Sequence, residues 1–335
     1  MKKINILITA VGGDIGCNIV NIITEQKNKN ISLIGTDINE HVFCHDQIDK
    51  FYVVDKVNSK NYAIQILNII KENSIDIILP ISENEILWFY ENYDLFINLE
   101  LKILINNKNI IDTFLDKFKT SVALNDILVQ TPKTFLFDEF TNQLTFPIII
   151  KGKSSVLSKE VQIIKNQSQL DYFRNFIEKQ ENYIVQEYIG TTEEEYTTCI
   201  YQNKEKTEII SFKRRLTGGM TSFAQIVNEN VLNAYAKKIA QSFDLKGSIN
   251  IQSRRVEDEF YIFEINPRLS STVYIRDKFN FQDALWWIND LLEQKLFSLS
   301  DKKVSSYGDA ILGYKYKFNG RKNEKGINTN KRWLL

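Results

Sequence analysis

The 335-residue chain is poor in the residue types that do specialised work: it has three cysteines, two histidines, four prolines and thirteen glycines. Cys17, Cys44 and Cys199 are odd in number and widely spaced, which excludes a disulfide framework and a thiolate zinc site. They point instead to a reducing compartment, the cytoplasm. The only histidines, His41 and His45, share a loop with Cys44 and Asp46 at a spacing that matches no established ligand pattern. Charge of one sign is lacking too. The 42 Lys plus Arg balance 42 Asp plus Glu, so no global field draws the chain to nucleic acid or to an anionic membrane. Any charged partner must be held locally. No apolar run approaches the roughly 18 residues of a membrane span. The apolar start, Ile4 to Val11, is cut by Gly12, Gly13 and Asp14 and lacks a small-residue cleavage pattern, so it reads as a first strand rather than a signal peptide. The scarcity of Gly and Pro beside abundant Ile, Asn and Lys reflects a biased genome more than chemistry.

What is present is an ordinary folding composition, 43% hydrophobic and 25% charged, which excludes wholesale disorder. At roughly 150 residues per domain the length suggests two or three packed units. Short apolar runs (Ile4 to Ala10, Ile31 to Gly35, Phe51 to Val54, Ile75 to Pro80, Lys102 to Ile105) alternate with helical patterns, as in a parallel α/β unit. Between them Ala63, Ile66, Leu67 and Ile70 form one helical stripe. A helix is expected over 109–126, stopped by Pro132, then a strand ending at Lys151 and a polar loop from Gly152 to Glu160. A helix from Gln167 to Lys179 and a strand from Tyr183 to Tyr188 follow. Antiparallel strands around one helix, Val231 to Phe243, run to about Ile265, and 319–335 reads as a basic, mobile tail.

Val11-Gly12-Gly13-Asp14-Ile15-Gly16 follows a strand and opens a helix, the context of a dinucleotide fingerprint, but Val11 stands where the first glycine belongs. With Asp37 as a ribose acceptor, a nicotinamide enzyme is one reading. A turn that needs glycine only for backbone geometry is the other. Glu83 and Glu85, after Pro80, are equally compatible with a binding loop and with a solvated one.

The most informative stretch is Gly247-Ser248-Ile249-Asn250-Ile251-Gln252, a charged turn, and Tyr261-Ile262-Phe263-Glu264-Ile265-Asn266-Pro267-Arg268. As a hairpin with period-two alternation it puts Asn250 and Gln252 on one face, with Glu264 and Asn266 together opposite Phe263 and Ile265. One carboxylate and three amides then converge. Such oxygens suit Mg²⁺ that shares its coordination with phosphates, and the Arg268 fork suits phosphate oxygens. The alternative is the polar outer face of an edge hairpin.

The second strand is similar to the magnesium-binding strand of the ATP-grasp superfamily, and Asn250-Ile251-Gln252 resembles its neighbour in the carbamoyl-phosphate-synthetase-like, carboxylate–amine ligase branch. The resemblance implies Gln252, Glu264 and Asn266 as metal ligands. Asp116-Lys117 resembles the entry to the grasp, with Lys117 near the nucleotide phosphates, and Lys151 resembles the lysine that contacts phosphate and adenine. Gly152 to Glu160 stands where the family has a phosphate-covering loop, implying Lys153, Ser154 and Ser158 as nucleotide contacts, although it holds one glycine where several are usual. Val185-Gln186-Glu187-Tyr188-Ile189 resembles the hinge at the adenine edge, and Glu195 the ribose acceptor. Lys213-Arg214-Arg215, before Gly218-Gly219-Met220, falls beside the γ-phosphate and acceptor pocket. Arg215, Lys213 and Arg268 are the expected catalytic cations. Ser270-Ser271-Thr272 with Arg276 would either bind a carboxylate or cap a helix. Cys199 stands where many relatives carry an acid and reads as packed.

The resemblance implies an α/β, Rossmann-like N-terminal domain (1–108) followed by an α+β ATP-grasp fold whose subdomains (109–185 and 186–318) clamp ATP. The implied activity is ATP-dependent amide formation from a carboxylate and an amine through an acyl phosphate, releasing ADP and phosphate. Mg²⁺ is the implied metal, with Mn²⁺ able to replace it. Small-molecule substrates and a homodimer are the implied partners, with no nucleic acid or membrane. The alternatives are a kinase or carboxylase on the same fold, or a nucleotide-binding module without turnover.

Overall fold

The structure, a computed structural model, describes residues 3–154, 161–218, 220–311, 314–315 and 333–334. The first unit runs β1 (Ile4–Ile8), α1 (Asp14–Glu25), β2 (Ile31–Asp37), β3 (Lys50–Val53), α2 (Tyr62–Asn73), β4 (Ile77–Leu79), α3 (Glu83–Glu91) and β5 (Lys102–Ile103). Its strands form one parallel sheet in the order β3-β2-β1-β4-β5. Parallel strands covered on both faces must be apolar on both. Ile6 and Ile8 of β1 accordingly pack with Ile19, Val20 and Ile23 of α1, while Leu7 packs with Ile66 and Ile70 of α2 and Phe89 of α3. The buried stripe of α2 is rotated from the expected one, to Tyr62, Ile66, Ile69, Ile70 and Asn73. Tyr62 turns inward because its hydroxyl donates to Glu85 at 2.9 Å and its ring meets Trp88 edge-on.

The strand order makes β1 and β4 the topological switch point, and ligands of open parallel sheets bind in the crevice beyond the carboxyl ends of such strands. The turn after β1 is held by its glycines. A Cβ on Gly16 would lie 2.7 Å from Val11 Cα, and one on Gly12 2.7 Å from Val42. Asp37 accepts the Gly12 amide at 2.9 Å and, with its other oxygen, the Asn39 amide at 2.9 Å. The carboxylate that a nicotinamide enzyme would offer to ribose is thus spent on the turn, and that reading falls.

The expected helix over 109–126 is two, α4 (Lys108–Phe114) and α5 (Lys117–Asp126), because Asp116 breaks it by capping the Phe118 and Lys119 amides at 2.8 and 3.1 Å. Next come β6 (Thr134–Leu136), β7 (Ile148–Gly152), β8 (Gln162–Ile164), α6 (Gln167–Phe176) and β9 (Tyr183–Glu187). They make a small antiparallel sheet, β6-β9-β7-β8, with its own core around Phe137, Ile150, Leu170 and Val185. Then follow β10 (Glu195–Gln202), β11 (Thr207–Thr217), β12 (Met220–Val227), α7 (Asn230–Ser242), β13 (Gly247–Val256), β14 (Glu259–Asn266), α8 (Val273–Lys278), α9 (Asp283–Leu291) and β15 (Asp309–Ile311). The six strands form an antiparallel sheet ordered β14-β13-β10-β11-β12-β15. Of the tail, β17 (Trp333–Leu334) pairs with β16 (Tyr314–Lys315), so its end is tied back; 316–332 lies outside the described residues.

The first and last units share one core. Ile19 and Val20 of α1 belong to the same cluster as Val273 of α8 and Trp286 and Trp287 of α9. The fold also brings two cysteines together: the Cys17 and Cys44 thiols lie 3.1 Å apart and both reach the Val11 carbonyl. The histidines diverge, His41 to solvent beside Glu40 and His45 onto the Phe51 ring.

Arg276 is not a substrate group. It is fully buried and forms two 2.8 Å hydrogen bonds to Asp283, while its remaining Nη donates to Ser270 and Thr272 at 2.8 and 3.0 Å. Asp283 in turn accepts from Ser248 of β13 at 2.5 Å, so this network fixes α8 and α9 against the large sheet. Removing one member of a buried pair leaves a bare charge. Asp283→Ala should therefore cost about 3–5 kcal/mol in chemical denaturation, against less than about 1 kcal/mol for Asp244→Ala in the exposed pair with Lys246.

Candidate active site

One cleft is bounded by the three larger sheets and the turns that follow their strands. The small sheet contributes Ile149, Lys151, Gln186 and Glu187, and the large sheet contributes Glu195, Arg214, Gln252, Arg254, Glu264 and Asn266. Asp14, Ile15 and Glu83 close it from the switch-point end of the parallel sheet. Its volume is about 280 Å³.

Its floor is set by β-strand register. β13 and β14 pair Asn250 with Asn266 and Gln252 with Glu264, so these four side chains share one face. Between Gln252 and Ser253 the register shifts, and Phe263 is the extra residue on β14. Such a bulge re-aims side chains. Ile262 and Ile265 both enter the core behind the sheet, and Phe263, expected with Ile265, instead joins Glu264 in the cleft. Arg254 continues the inward period of Asn250 and Gln252 on β13.

The electrostatics follow from these positions. Lys117, 7% exposed, points its ammonium at Glu264 at 3.5 Å. Lys151, 4% exposed, donates to the Phe263 carbonyl at 3.3 Å and lies over the Phe263 ring. Burial lowers the Lys151 ammonium to about 8; the carboxylate of Glu264 works against this, and the charges of Lys117 and Arg254 add to it. Two buried lysines therefore face one carboxylate, with Arg254 acting on Lys151 through space, a local excess of positive charge suited to a polyanion.

Glu195 is 5% exposed and stands between its cross-strand neighbours Arg214 and Arg254. One oxygen accepts from Arg214 at 2.9 Å, the other from Arg254 at 3.2 Å. The Arg214 Nε is buried without a partner and Arg214 lines the cleft, leaving a donor for an anion. Arg268 pairs with Glu83 at 2.9 Å and donates to Asn266 Oδ1 at 3.1 Å, joining the first unit to the β14 ladder. Asp14 is half-buried, and burial raises its carboxyl against backbone hydrogen bonds and the charge of Arg268.

Of the residues expected at the site, Lys117, Lys151, Gln186, Glu187, Ile189, Glu195, Gln252, Glu264, Asn266 and Arg268 line this one cleft. Others do not. Strand alternation turns Arg214 inward, so Lys213 and Arg215 face outward and pair with Glu194 and Glu193. Neither lines the cleft. Tyr188 lies behind it against Arg254. Lys153 and Ser154 sit at the root of the expected phosphate loop, tied to the α4–α5 corner by Lys117 N–H to Lys153 O (3.0 Å) and Ser154 Oγ to Leu115 O (3.1 Å). Ser158, the rest of that loop and Gly219 lie outside the described residues. Glu85, read with Glu83 as loop acid, is buried and burial raises its carboxyl; it accepts from Ser82 at 2.7 Å in a capping box. Cys199 is buried, its thiol on Asn250 at 3.2 Å. The sequence reading left Arg214, Arg254 and Asp14 without a role of their own and set Phe263 on the opposite face. Alternation around Glu195 was the one signal for the two arginines, and it needs a register.

Among the described residues no group of three His, Cys, Asp or Glu could hold a metal. The donor set on β13 and β14 is one carboxylate and two amide oxygens, Glu264, Asn266 and Gln252. A single negative charge with neutral oxygens fits a hard cation that arrives sharing phosphate oxygens, not a preformed all-protein cage.

Residues 6–104 match the family described as PylC-like, N-terminal domain, and residues 179–298 the family described as ATP-grasp in the biosynthetic pathway with Ter operon. The chain is 24% identical over 247 residues to tyramine–L-glutamate ligase of Methanocaldococcus fervens, covering 72% of this chain and 75% of that one. It is 27% identical over 148 residues to the carbamoyl phosphate synthase large chain of Clostridium perfringens, which covers 40% of this chain but only 14% of the relative. Its fold is shared with N5-carboxyaminoimidazole synthetase from Staphylococcus aureus, solved with ADP, at TM-score 0.70 and 16% identity over 93% of this chain and 82% of that one. The match over 179–298 and the shared architecture show an ATP-grasp fold.

Proposed function

We propose that the chain is an ATP-dependent carboxylate–amine ligase that forms an amide through an acyl phosphate and releases ADP and phosphate. The observation that carries this reading is the pair of buried lysines, Lys117 and Lys151, beside Glu264, in one cleft with Arg254, Gln252 and Asn266. The match to a tyramine–L-glutamate ligase along most of both chains supports amide formation.

A carboxylate cannot lose an oxygen at neutral pH, so it must first accept a phosphoryl group, and that transfer is mostly positioning and charge neutralisation. In this reading the end of β9, Gln186 to Ile189, takes the adenine edge. Glu195 holds Arg214 and Arg254 toward the sugar and phosphates, and Arg214 replaces Arg215 and Lys213 as the strand's cation. Lys117 and Lys151 take phosphate oxygens, and Arg268 takes the acyl group as its charge develops. Lys153, Ser154 and Ser158 would cover the phosphates. Gln252, Glu264 and Asn266 would hold Mg²⁺, or Mn²⁺, which when bound neutralises phosphate charge. No side-chain nucleophile is needed.

A screen of carboxylate and amine pairs should find ADP release with a matching amide. A stable phosphorylated compound in place of amide would make the protein a kinase. Glu264→Ala should lower turnover by about a hundred-fold or more; wild-type ADP release in that variant would remove Glu264 from the metal set. Lys151 gives a pH signature with a definite sign. Free protein loses the Lys151 proton near pH 8, whereas triphosphate bound beside it favours the ammonium, so binding above that pH takes up a proton. Calorimetric affinity for magnesium-ATP should therefore fall toward about tenfold per pH unit above 8, and Lys151→Met should flatten that slope.

A further inference from the structure

The turn from β1 into α1 carries Asp14 and Ile15 to the cleft, and sulfur packs behind it. Cys17, in the first turn of α1, and Cys44, in the loop between β2 and β3, hold their Sγ atoms 3.1 Å apart. A disulfide bond is only about 1 Å shorter than that contact. Among the described residues no third His, Cys, Asp or Glu joins the pair to make a metal site, which leaves covalent chemistry between the two sulfurs. Cys199 lies elsewhere, in the large sheet against Asn250.

The two thiols are not equivalent. Cys44 is 1% exposed, whereas Cys17 is half-buried. The hydrogen bond between them lowers the Cys17 thiol against the effect of burial, helped by the N–H groups of Cys44 and Phe43, and the same bond raises Cys44. Thiolate is the nucleophile of disulfide exchange. Cys17 is therefore the attacking sulfur and Cys44 the resolving one.

What the sulfurs hold is the turn itself. Both thiols reach the Val11 carbonyl, at 3.2 and 3.5 Å. Val11 is fully buried, and Ala10 beside it has φ 45°, a left-handed backbone that is strained in a residue with a Cβ. Gly16 of α1 packs so closely that a Cβ there would lie 2.7 Å from Val11 Cα. A Cys17–Cys44 bond consumes both S–H groups, so the Val11 carbonyl loses both donors and the strained turn shifts where it carries Asp14 and Ile15.

We propose that Cys17 and Cys44 are a redox modification site, a dithiol that closes to a disulfide and reopens, and that the closed form weakens nucleotide binding in the cleft through the β1–α1 turn. The oxidant is a low-molecular-weight disulfide. The Cys17 thiolate attacks one of its sulfurs, its S–S bond breaks, and a mixed disulfide forms as one thiolate leaves. Cys44 then gives its proton to water and attacks the Cys17 sulfur; the Cys17–Cys44 bond forms, the mixed disulfide breaks, and the second thiolate leaves. Two electrons have passed to the oxidant, whose halves depart as thiols. Excess thiol runs the sequence backward, the behaviour of a transient disulfide in a reducing compartment. Binding rather than turnover reports on this switch, so failure of the ligase reading leaves it standing.

The test equilibrates the full chain with oxidised glutathione, maps free and bonded cysteines by alkylation and mass spectrometry, and measures magnesium-ATP affinity by calorimetry. Free thiols are expected to fall from three to one, the survivor being Cys199, with a Cys17–Cys44 peptide in the digest. The Kd for magnesium-ATP rises at least about fivefold, and reduced glutathione restores both readings. Cys44→Ser stops at a glutathione adduct on Cys17; Cys17→Ser takes no adduct and keeps its affinity in the oxidant. Three free thiols in oxidant-treated wild type, or an adduct on Cys17 that Cys44 never displaces, overturns the inference. A Cys17–Cys44 bond that leaves the affinity unchanged overturns it too, because the pair would then be packing that oxidises without consequence for the cleft.

Discussion

The cleft depends on one antiparallel register. β13 meets β14 with Gln252 opposite Glu264 and Asn250 opposite Asn266, and because side chains alternate with period two, a slip of β14 by one residue would send Glu264 and Asn266 into the core and bring Ile265 out. The register is pinned from behind by Ile249, Ile251, Ile262 and Ile265. It is also pinned at its end, where Pro267 stops the ladder and its carbonyl accepts from Asn106 at 3.0 Å. The bulge at Phe263 departs from strict alternation, and it lets an aromatic ring and a carboxylate stand side by side beneath Lys151.

Around that floor the buried charges are arranged so that none is left far from a partner, yet the sum near Glu264 stays positive. Burial in a low-dielectric site strengthens every such interaction and makes an unmatched group costly. Lys151, which among the described residues donates to a carbonyl and lies over a ring, carries that cost as a lowered pKa. Glu195 shows the opposite arrangement, a carboxylate enclosed by two guanidiniums. These two ion pairs hold Arg214 and Arg254 in place.

The first unit is an integral part of the cleft. Its α1 shares a core with α8 and α9, Glu83 clamps Arg268, and its switch point opens onto the cleft that β14 lines. The small sheet has a core of its own, so it contributes Lys151 and the β9 edge from a separately packed body.

Much of this is written in local patterns. The five parallel strands follow from short apolar runs between helices, and the convergence of Gln252, Glu264 and Asn266 follows from counting by twos along a hairpin, because a strand's faces are fixed by its own pleat. Asp116 as the break between α4 and α5, and Ser82 with Glu85 as a capping box, are likewise local hydrogen-bonding chemistry that the residues carry with them. What could not be read locally is which partner each charge would meet. Lys213, Arg214 and Arg215 are equivalent as neighbours in sequence; only the pairing of β10 with β11 turns the middle one toward Glu195 and the other two to the surface. Arg276 reads as a ligand for carboxylate until α9 brings Asp283 against it. Side-chain periodicity acts over a few residues of one chain segment, whereas pairing, burial and compensation of charge arise between segments a hundred or more residues apart, and only the packed chain decides them.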